Sequence, residues 1–284
     1  MNKVILVTGT STGLGLTLAV KLAKQGNTVY ATMRDLNKAK SIREAAAAVD
    51  VTLHIKQLDV QKQQSIQTCV DEIIQKEGRI DVLINNAGAG YVRTTEQSTE
   101  EEVNWVMDVN FHGVARCTKV VLPHMRKAKS GHIINISSVG GLVGQPFNEY
   151  YCAAKFAVEG YIESLATYVT PTFGIHFTNV EPGGITSEFA NNVMEKISAT
   201  GGILDDEYRP ILEKYMAGAA ARSKEGLYQT PAAVADVVIK CMQTDKPPIR
   251  QRTSPWAENF TRFKTESDPT GHKQNEQVFN QFLA

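Results

Sequence analysis

The sequence has no excess charge of either sign, few cysteines and no long apolar run. Its 30 basic side chains balance 30 acidic ones, which gives no reason to expect binding to nucleic acid or to an anionic membrane surface. The four cysteines are widely separated and lack metal-ligand spacing, so we expect reduced thiols, no metal site and a cytoplasmic location. No stretch has the length of a membrane span. Because the first residues lead directly into a predicted strand, we expect no signal peptide.

Apolar, β-branched segments alternate with segments of helical period, which is typical of βαβ units. Six strands are predicted at residues 4–7, 28–33, 53–58, 82–85, 132–137 and 175–180, with a seventh near 249–253. The nearly continuous apolar runs around Val82 and Ile133 indicate strands that helices cover on both faces. The predicted fold is therefore α/β, a single-domain doubly wound parallel sheet of about seven strands.

Two segments interrupt this alternation. Residues 186–228 are long, mixed and glycine-containing, and we predict that they form a helical lid over a substrate pocket. Residues 245–284 are polar with spaced aromatic side chains and form a C-terminal extension. Because α/β folds of this length are often single units, the whole of 1–284 is predicted to be one domain.

A glycine-rich loop at residues 8–15 directly follows the first predicted strand and opens a helix. This context presents free backbone N–H groups and the positive helix end to a pyrophosphate. Gly9 permits the turn, Gly13 allows close approach of a dinucleotide, and Gly15 allows the helix to pack on the sheet. The predicted cofactor contacts of this loop are Gly9, Ser11, Thr12, Gly13, Leu14 and Gly15.

The end of the second strand distinguishes NAD from NADP in binding units of this kind. Met33 stands where an NAD enzyme has its carboxylate, and Arg34 follows it. A guanidinium can bind a 2′-phosphate through paired hydrogen bonds, which favours NADP(H). A register shift of two would instead bring Asp35 to the ribose, and an isolated surface pair of Arg34 and Asp35 is a further alternative.

Other candidate cofactor residues lie at the ends of the third and fourth strands, where the ligand crevice of a parallel sheet opens. Asp59 closes the third strand, followed by Val60, and is placed to accept from the adenine amino group. An ordinary loop cap would look the same. Small residues after the fourth strand, which include Asn86, Ala87 and Gly88, let the chain pass close to a ribose.

Tyr151 and Lys155 lie one helical turn apart and share a helix face. A phenol has a pKa of about 10, and a neighbouring ammonium lowers it toward the range useful for proton transfer. The ammonium can also hold the ribose hydroxyls of a nicotinamide. Ser138, at the mouth of the fifth strand, is placed to polarise a carbonyl oxygen together with Tyr151. These residues predict hydride transfer between a nicotinamide and a carbonyl or alcohol.

In combination, these motifs resemble the short-chain dehydrogenases/reductases over about residues 1–190. The resemblance rests on the glycine loop, Asn85-Asn86-Ala87-Gly88, Asn110, Ser138, Tyr151-x-x-x-Lys155 and Pro182-Gly183. It implies a Rossmann-type domain in which Tyr151 is the general acid/base, Ser138 orients the carbonyl and Lys155 binds the ribose.

The same resemblance implies that Asn110 holds a helix bend and a water that relays protons to Lys155, whereas the residue alone suggests only a polar helix face. It also implies that residues 180–186 flank the nicotinamide, with Thr186 touching the carboxamide. The cofactor contacts implied there are Pro182, Gly183, Ile185 and Thr186.

A closer similarity is to the branch that contains 17β-hydroxysteroid dehydrogenase type 1 and retinol dehydrogenases. It rests on the stretch from Ser138 to Leu142 and on Pro146-Phe147-Asn148. That branch prefers NADP(H), in agreement with Arg34. The chain departs from its steroid-binding members, because residues 187–226 contain no histidine and Gln277 replaces an acid.

We therefore predict an NADPH-dependent carbonyl reductase, reversible as an alcohol dehydrogenase, that acts on an apolar ketone, aldehyde or secondary alcohol. A hydroxysteroid or retinol dehydrogenase is the alternative within this class, and a non-catalytic NADP(H)-sensing regulator is the alternative outside it. Members of the family pair through two long helices, here residues 101–125 and 151–172. A homodimer or homotetramer is expected, with the extension able to block one interface.

Overall fold

The computed structural model describes residues 2–282, so Met1, Leu283 and Ala284 of the predicted domain and extension lie outside the described residues. Its centre is a parallel sheet of seven strands in the order β3-β2-β1-β4-β5-β6-β7. The strands are β1 Val4–Val7, β2 Thr28–Met33, β3 His54–Gln57, β4 Val82–Asn85, β5 Gly131–Ile136, β6 Ile175–Glu181 and β7 Arg250–Arg252. The predicted doubly wound parallel sheet is confirmed, and each predicted strand agrees within one residue at either end.

Helices cover both faces of this sheet. They are α1 Gly13–Lys24, α2 Lys40–Ala47, α3 Gln63–Glu77, α4 Glu100–Met107, α5 Gly113–Ala128, α6 Glu149–Phe173, α7 Phe189–Ala199, α8 Arg209–Lys224, α9 Pro231–Gln243, α10 Pro255–Thr265 and α11 His272–Phe282. Within residues 2–282, no helix combines the length and the apolar character that crossing a membrane requires.

Two apolar clusters bury the faces of the sheet. On one face Leu6 and Ile133 pack with Ile66 of α3 and Ile162 of α6. On the other face the strands pack against α1 and α9, which also contact each other. The buried side chains of these helices include Leu18 of α1 and Val234 of α9. The strands are buried on both sides, which explains why their sequences read as continuous apolar runs rather than as alternating patterns.

The long helix predicted at 101–125 is interrupted, which corrects its expected continuity. Residues Asp108–His112 form a π-helical turn between α4 and α5. Single π-helical turns accommodate one extra residue inside a helix and are frequent at functional sites. The predicted helix at 151–172 lies within α6, which begins two residues earlier, at Glu149.

The lid segment contains α7 and α8, and the extension contributes β7 to the edge of the sheet before continuing as α10 and α11. Asn275 of α11 donates to the Thr167 hydroxyl of α6 at 2.9 Å, which fixes the end of the chain along that helix. The carbonyl of Thr270 accepts from the backbone N–H groups of Ile249 and Arg250, so the extension covers the outer edge of β7.

Candidate active site

The glycine loop and the chain after β4 are tied together at the carboxyl ends of β1 and β4. Asn86 Nδ2 donates to the carbonyls of Thr8 at 2.9 Å and Gly9 at 2.8 Å. Gly9 has a φ of +70°, and a side-chain carbon there would lie 2.7 Å from the Cα of Ala87. A side-chain carbon at Gly15 would lie 2.2 Å from the Gly9 carbonyl oxygen. The backbone packing of the protein itself therefore requires glycine at both positions.

The N-terminal end of α1 is open toward this crevice. Thr12 precedes the helix without forming a side-chain cap, and the first turn contains no acidic residue. Gly13 begins the helix with a φ of +58°, and Ser187 Cβ lies 3.4 Å from the position of a side-chain carbon there. Leu14 is buried, Ser11 is half-buried and Thr12 is exposed. Uncapped N–H groups at the positive end of a helix fit a pyrophosphate.

At the end of β2, Arg34 and Asp35 have different roles. The Asp35 carboxylate accepts from the backbone N–H of Asn37 at 3.0 Å and caps the following 3₁₀ turn. Arg34 is exposed, and within residues 2–282 its guanidinium forms no ion pair. Met33 is buried. The geometry thus offers a cation, rather than the carboxylate of Asp35, beside the crevice.

Asp59 and Val60 lie after β3. One carboxylate oxygen of Asp59 accepts from the backbone N–H of Gln61 at 3.1 Å, which is the loop-cap geometry that the sequence left open. Val60 packs against the start of α5, where its Cβ lies 3.0 Å from the position of a side-chain carbon at Gly113. The Val60 carbonyl accepts from Arg116 at 3.2 Å. Both residues are half-buried at the crevice end of the sheet.

Ser138, Tyr151 and Lys155 meet at the carboxyl end of β5. The Ser138 hydroxyl accepts from the Gly140 N–H at 2.9 Å and lies close enough to the Tyr151 phenol to lower its pKa. Lys155 is buried, and its Nζ donates to the Ile136 carbonyl at 2.9 Å and lies 5.8 Å from the centre of the Tyr151 ring. The structure therefore brings Ser138, which follows β5, together with Tyr151 and Lys155, which lie on α6.

Asn110 lies in the π-helical turn, in agreement with the helix bend that the resemblance implied. Its Nδ2 donates to the carbonyls of Ala89 at 2.9 Å and Val106 at 3.0 Å, and its Oδ1 accepts from the Ala89 N–H at 3.1 Å. A side-chain carbon at Gly88 would lie 3.1 Å from Asn110 Oδ1 and 3.7 Å from Lys155 Nζ. Gly88 thus leaves room for these two polar groups to approach each other.

The chain after β6 runs along the same crevice. The Pro182 carbonyl accepts from the Val139 N–H at 3.0 Å, which joins this segment to the turn that holds Ser138. Gly183 lies under Trp256 of α10, where a side-chain carbon would lie 2.8 Å from the indole ring. These contacts place the start of the lid segment beside the predicted catalytic residues.

Ile185 and Thr186 pair with the far end of the lid segment. Ile185 forms a β-bridge with Gln229, and both the backbone N–H and the hydroxyl of Thr186 donate to the Gln229 carbonyl, at 2.9 and 3.1 Å. The Thr186 hydroxyl is thus engaged by the protein, although the resemblance assigned this residue to the carboxamide. The two ends of the lid segment are closed onto each other.

A family model described as short chain dehydrogenase matches residues 3–198, which is more than half of the chain. The chain belongs to the short-chain dehydrogenase family. It is an oxidoreductase acting on CH–OH groups, in a family that binds nicotinamide cofactors. Bovine retinol dehydrogenase 8 is 40% identical over 89% of this chain and 81% of its own length. Human 17-beta-hydroxysteroid dehydrogenase type 1 is 37% identical over 94% and 82%. A crystal structure of a short-chain dehydrogenase from Streptomyces avermitilis has a TM-score of 0.77 and 30% identity, covering 100% of this chain and 98% of that one.

The pKa values in this short-chain dehydrogenase differ from the expectation that Lys155 lowers that of Tyr151. Burial raises the pKa of the Tyr151 phenol to about 12, although the neighbouring Ser138 hydroxyl acts in the opposite direction. Burial also lowers the pKa of Lys155 to about 8, while the Glu159 carboxylate raises it. Desolvation disfavours the charged form of both groups and is the largest cause of both shifts. The Lys155 ammonium is directed toward the Ile136 carbonyl.

The lid places one of its apolar side chains, Phe189, against Tyr151. The rings of Phe189 and Tyr151 meet edge to face, with their centres 6.1 Å apart. Phe189 and Val193 cover Gly90, where a side-chain carbon would lie 2.3 Å from Val193 Cγ2. Phe189 is 41% exposed, so it borders the open space above Tyr151. The helical spacing of the lid residues alone does not distinguish such a position from ordinary packing.

Sequence reasoning missed Arg93, which is buried in the segment between β4 and α4. Its guanidinium lies 3.6 Å from the Glu102 carboxylate and donates to the carbonyls of Thr200 at 2.6 Å and Gly202 at 3.4 Å. These carbonyls follow the C-terminal end of α7. Contacts over this sequence separation leave no local pattern, so no signal in the sequence indicates them.

Proposed function

We propose that this short-chain dehydrogenase is an NADPH-dependent carbonyl reductase, reversible as an alcohol dehydrogenase, for apolar ketones, aldehydes or secondary alcohols. The convergence of Ser138, Tyr151 and Lys155 beside the open end of α1 carries the proposal. The closely packed glycine loop would let a dinucleotide approach the backbone at this crevice. The buried Lys155 would bind the ribose hydroxyls of that dinucleotide.

When bound, the reduced nicotinamide supplies the hydride. The Tyr151 hydroxyl gives its proton to the carbonyl oxygen as that oxygen gains charge, and Ser138 donates a second hydrogen bond to the same oxygen. Lys155 holds the ribose hydroxyls and faces the phenol. Phe189 shields the reacting atoms from water on the lid side. In the oxidative direction the same phenol accepts the proton.

The preference for NADP(H) over NAD(H) rests on Arg34. Its guanidinium is exposed at the end of β2, while the carboxylate of Asp35 is committed to the backbone of the next turn. A 2′-phosphate placed there gains a charge-assisted contact with Arg34.

An apolar substrate suits the lid side of the site. Phe189 and Val193 of α7 border it, and Phe147 packs against Tyr215 of α8 with ring centres 5.8 Å apart. The names of the bovine and human relatives favour retinoid or hydroxysteroid oxidoreduction as the second candidate. The lid segment contains no histidine to meet a steroid hydroxyl, so steroid is not our leading choice.

The test is to incubate the purified protein with NADPH, or separately with NADH, and a panel of aryl ketones, aldehydes, retinal and estrone. Loss of the reduced-nicotinamide absorbance is expected with NADPH and at least one apolar carbonyl. Loss with retinal or estrone alone would select the second candidate. Binding of NADPH without turnover on any of them would instead support a non-catalytic sensor.

We also propose a homo-oligomer formed through α5 and α6. A groove of about 620 Å³ between these helices is lined by apolar and aromatic side chains that include Leu122, Tyr161, Tyr168 and Phe173. Tyr168 is 49% exposed. Because the extension covers the edge of β7, we favour a dimer over a tetramer. Light scattering of the wild type and of Tyr168→Glu tests this, with a shift to monomer expected in the variant.

A cytoplasmic location is proposed on the state of the thiols. All four cysteines are buried and unpaired in the described residues, which suits a reducing compartment. Fractionation of cells that express the tagged protein checks this, and recovery with an exported or membrane fraction would contradict it.

A further inference from the structure

Three asparagines form a buried ladder across the middle of the sheet. Asn85, Asn135 and Asn179 stand at the same register on β4, β5 and β6. Asn85 Nδ2 donates to Asn135 Oδ1 at 2.9 Å, and Asn135 Nδ2 donates to Asn179 Oδ1 at 3.1 Å. All three are at most 2% exposed. Each amide fixes the orientation of the next, so the ladder has one direction and ends with a donor.

That donor binds Glu159 on α6. Asn179 Nδ2 donates to Glu159 Oε2 at 2.7 Å, and the Ser137 hydroxyl donates to Oε1. Glu159 is 5% exposed. Ser137 directly precedes Ser138, so this carboxylate joins the strand end that carries one predicted catalytic residue to the helix that carries the other two. Neutral donors occupy both oxygens, and within residues 2–282 no cation forms an ion pair with Glu159.

Lys155 lies one turn before Glu159 on the same helix face. It is 5% exposed and donates to a single backbone carbonyl. A buried ammonium held only by a neutral acceptor tends to lose its proton, because burial penalises the charge. Burial lowers the pKa of Lys155 to about 8 and raises that of Glu159 to about 7. Between these values both side chains are charged.

The cations near Glu159 have other partners. Arg250 of β7 lies 3.4 Å from Glu163 and 3.8 Å from Asp268. Arg252 of β7 lies 3.3 Å from Glu181 of β6 and 3.0 Å from Glu258 of α10.

Two further acids interact with Glu159. The charge of Glu163 raises the pKa of Glu159, and the charge of Glu159 raises the pKa of Glu181. They are themselves matched to arginines. Among the described residues Lys155 itself donates only to the Ile136 carbonyl, and the Glu159 carboxylate is the charge that raises its pKa.

We propose that Glu159 is a positioning residue that keeps Lys155 in its ammonium form and, through Ser137, holds Ser138 against α6. The importance of this residue for catalysis rests on the proposed function, whereas the test below does not require catalytic activity. The asparagine ladder and Ser137 present donors to the carboxylate, which favours its ionised form against the effect of burial. Lys155 in turn remains able to stabilise a tyrosinate and hold a ribose.

The experiment is a pH titration of lysine ¹³Cε signals by NMR in the full-length protein, with the Lys155 signal assigned by its loss in Lys155→Met. In Glu159→Gln, the Lys155 titration midpoint is expected to fall by about one pH unit. Glu163→Gln removes a charge one turn further along α6 and should not lower that midpoint, because loss of Glu163 favours the ionised form of Glu159. An identical midpoint in the wild type and Glu159→Gln overturns the proposal.

A milder variant guards against misfolding of Glu159→Gln. Ser137→Ala removes one donor to the carboxylate, so Glu159 ionises at higher pH and the Lys155 midpoint is expected to fall by a smaller amount. No change in this variant counts against the proposal even when the glutamine variant does not fold. Because NMR requires no turnover, an inactive wild type would contradict the proposed function alone.

Turnover provides a second measurement. If the wild type reduces a carbonyl, the alkaline limb of its kcat profile should move to lower pH in Glu159→Gln by the same amount as the NMR midpoint. A purely structural role would lower kcat at every pH without moving the limb, and that result would also overturn the proposal.

Discussion

Arg93 donates to both oxygens of Thr200, to the carbonyl at 2.6 Å and to the hydroxyl at 2.8 Å, across 107 residues of sequence. The contact attaches the C-terminal end of lid helix α7 to the segment after β4. Phe189, at the other end of α7, lies against Tyr151. The lid helix therefore contacts the rest of the protein at both ends, through Arg93 at one end and through Phe189 against Tyr151 at the other.

Replacing Arg93 by methionine leaves Glu102 buried without its cation and frees the end of α7. We expect a loss of about 3 kcal/mol in the free energy of unfolding, measured by urea denaturation, because an unpaired buried charge is costly. The KM for carbonyl substrate should rise while NADPH binding is retained. Arg209→Met is the control, since its ion pairs with Asp205 and Glu213 are exposed and should contribute little to the free energy of unfolding. Equal losses in the two variants would contradict the role of Arg93.

Tyr151→Phe removes the proton donor and keeps the ring that packs against Phe189. We expect kcat for carbonyl reduction to fall by at least about 100-fold, with the NADPH dissociation constant unchanged. Tyr150→Phe, at the preceding position, is the matched control and should retain activity. Near-normal turnover by Tyr151→Phe would rule out Tyr151 as the general acid.

Arg34→Ala removes the cation proposed to meet the 2′-phosphate. The dissociation constant for NADPH, measured by fluorescence titration, should increase roughly 10- to 100-fold, while that for NADH changes little. Arg43→Ala, on the exposed face of α2, should leave both constants as they are. An equal increase in the dissociation constants for NADPH and NADH would show that Arg34 does not bind the 2′-phosphate.

His132 gives the fold a defined acid sensitivity. Burial lowers its pKa to about 3, whereas an unfolded histidine titrates near about 6.5. The stability associated with neutral His132 is present above the unfolded value and is lost as the pH falls from about 6.5 toward the folded value. The expected slope is about 1.4 kcal/mol per pH unit. Urea denaturation at pH 7.5 and about 5.5 should show a smaller acid loss in His132→Gln, and an equal loss would contradict this assignment.

Local patterns explain what could be predicted. The glycine loop and the strand ends at Met33 and Asn85 were located correctly because periodicity and glycine placement are properties of neighbouring residues. The π-helical turn at Asn110 was implied only by family resemblance, since its amide is held by the backbone of Ala89, 21 residues away. Asp59 and Thr186 turned out to be engaged by the protein's own backbone, which spacing alone does not indicate.

The sequence by itself determined that Tyr151 and Lys155 share a helix face, because four residues make about one turn of any α-helix. It likewise determined that a glycine loop opens toward a parallel sheet. Only the tertiary structure decided the ionisation of these groups, since burial raises the pKa of Tyr151 and lowers that of Lys155. The attachment of α7 through Arg93 and the burial of Glu159 also came from folding, because they depend on which distant residues exclude water from a charge.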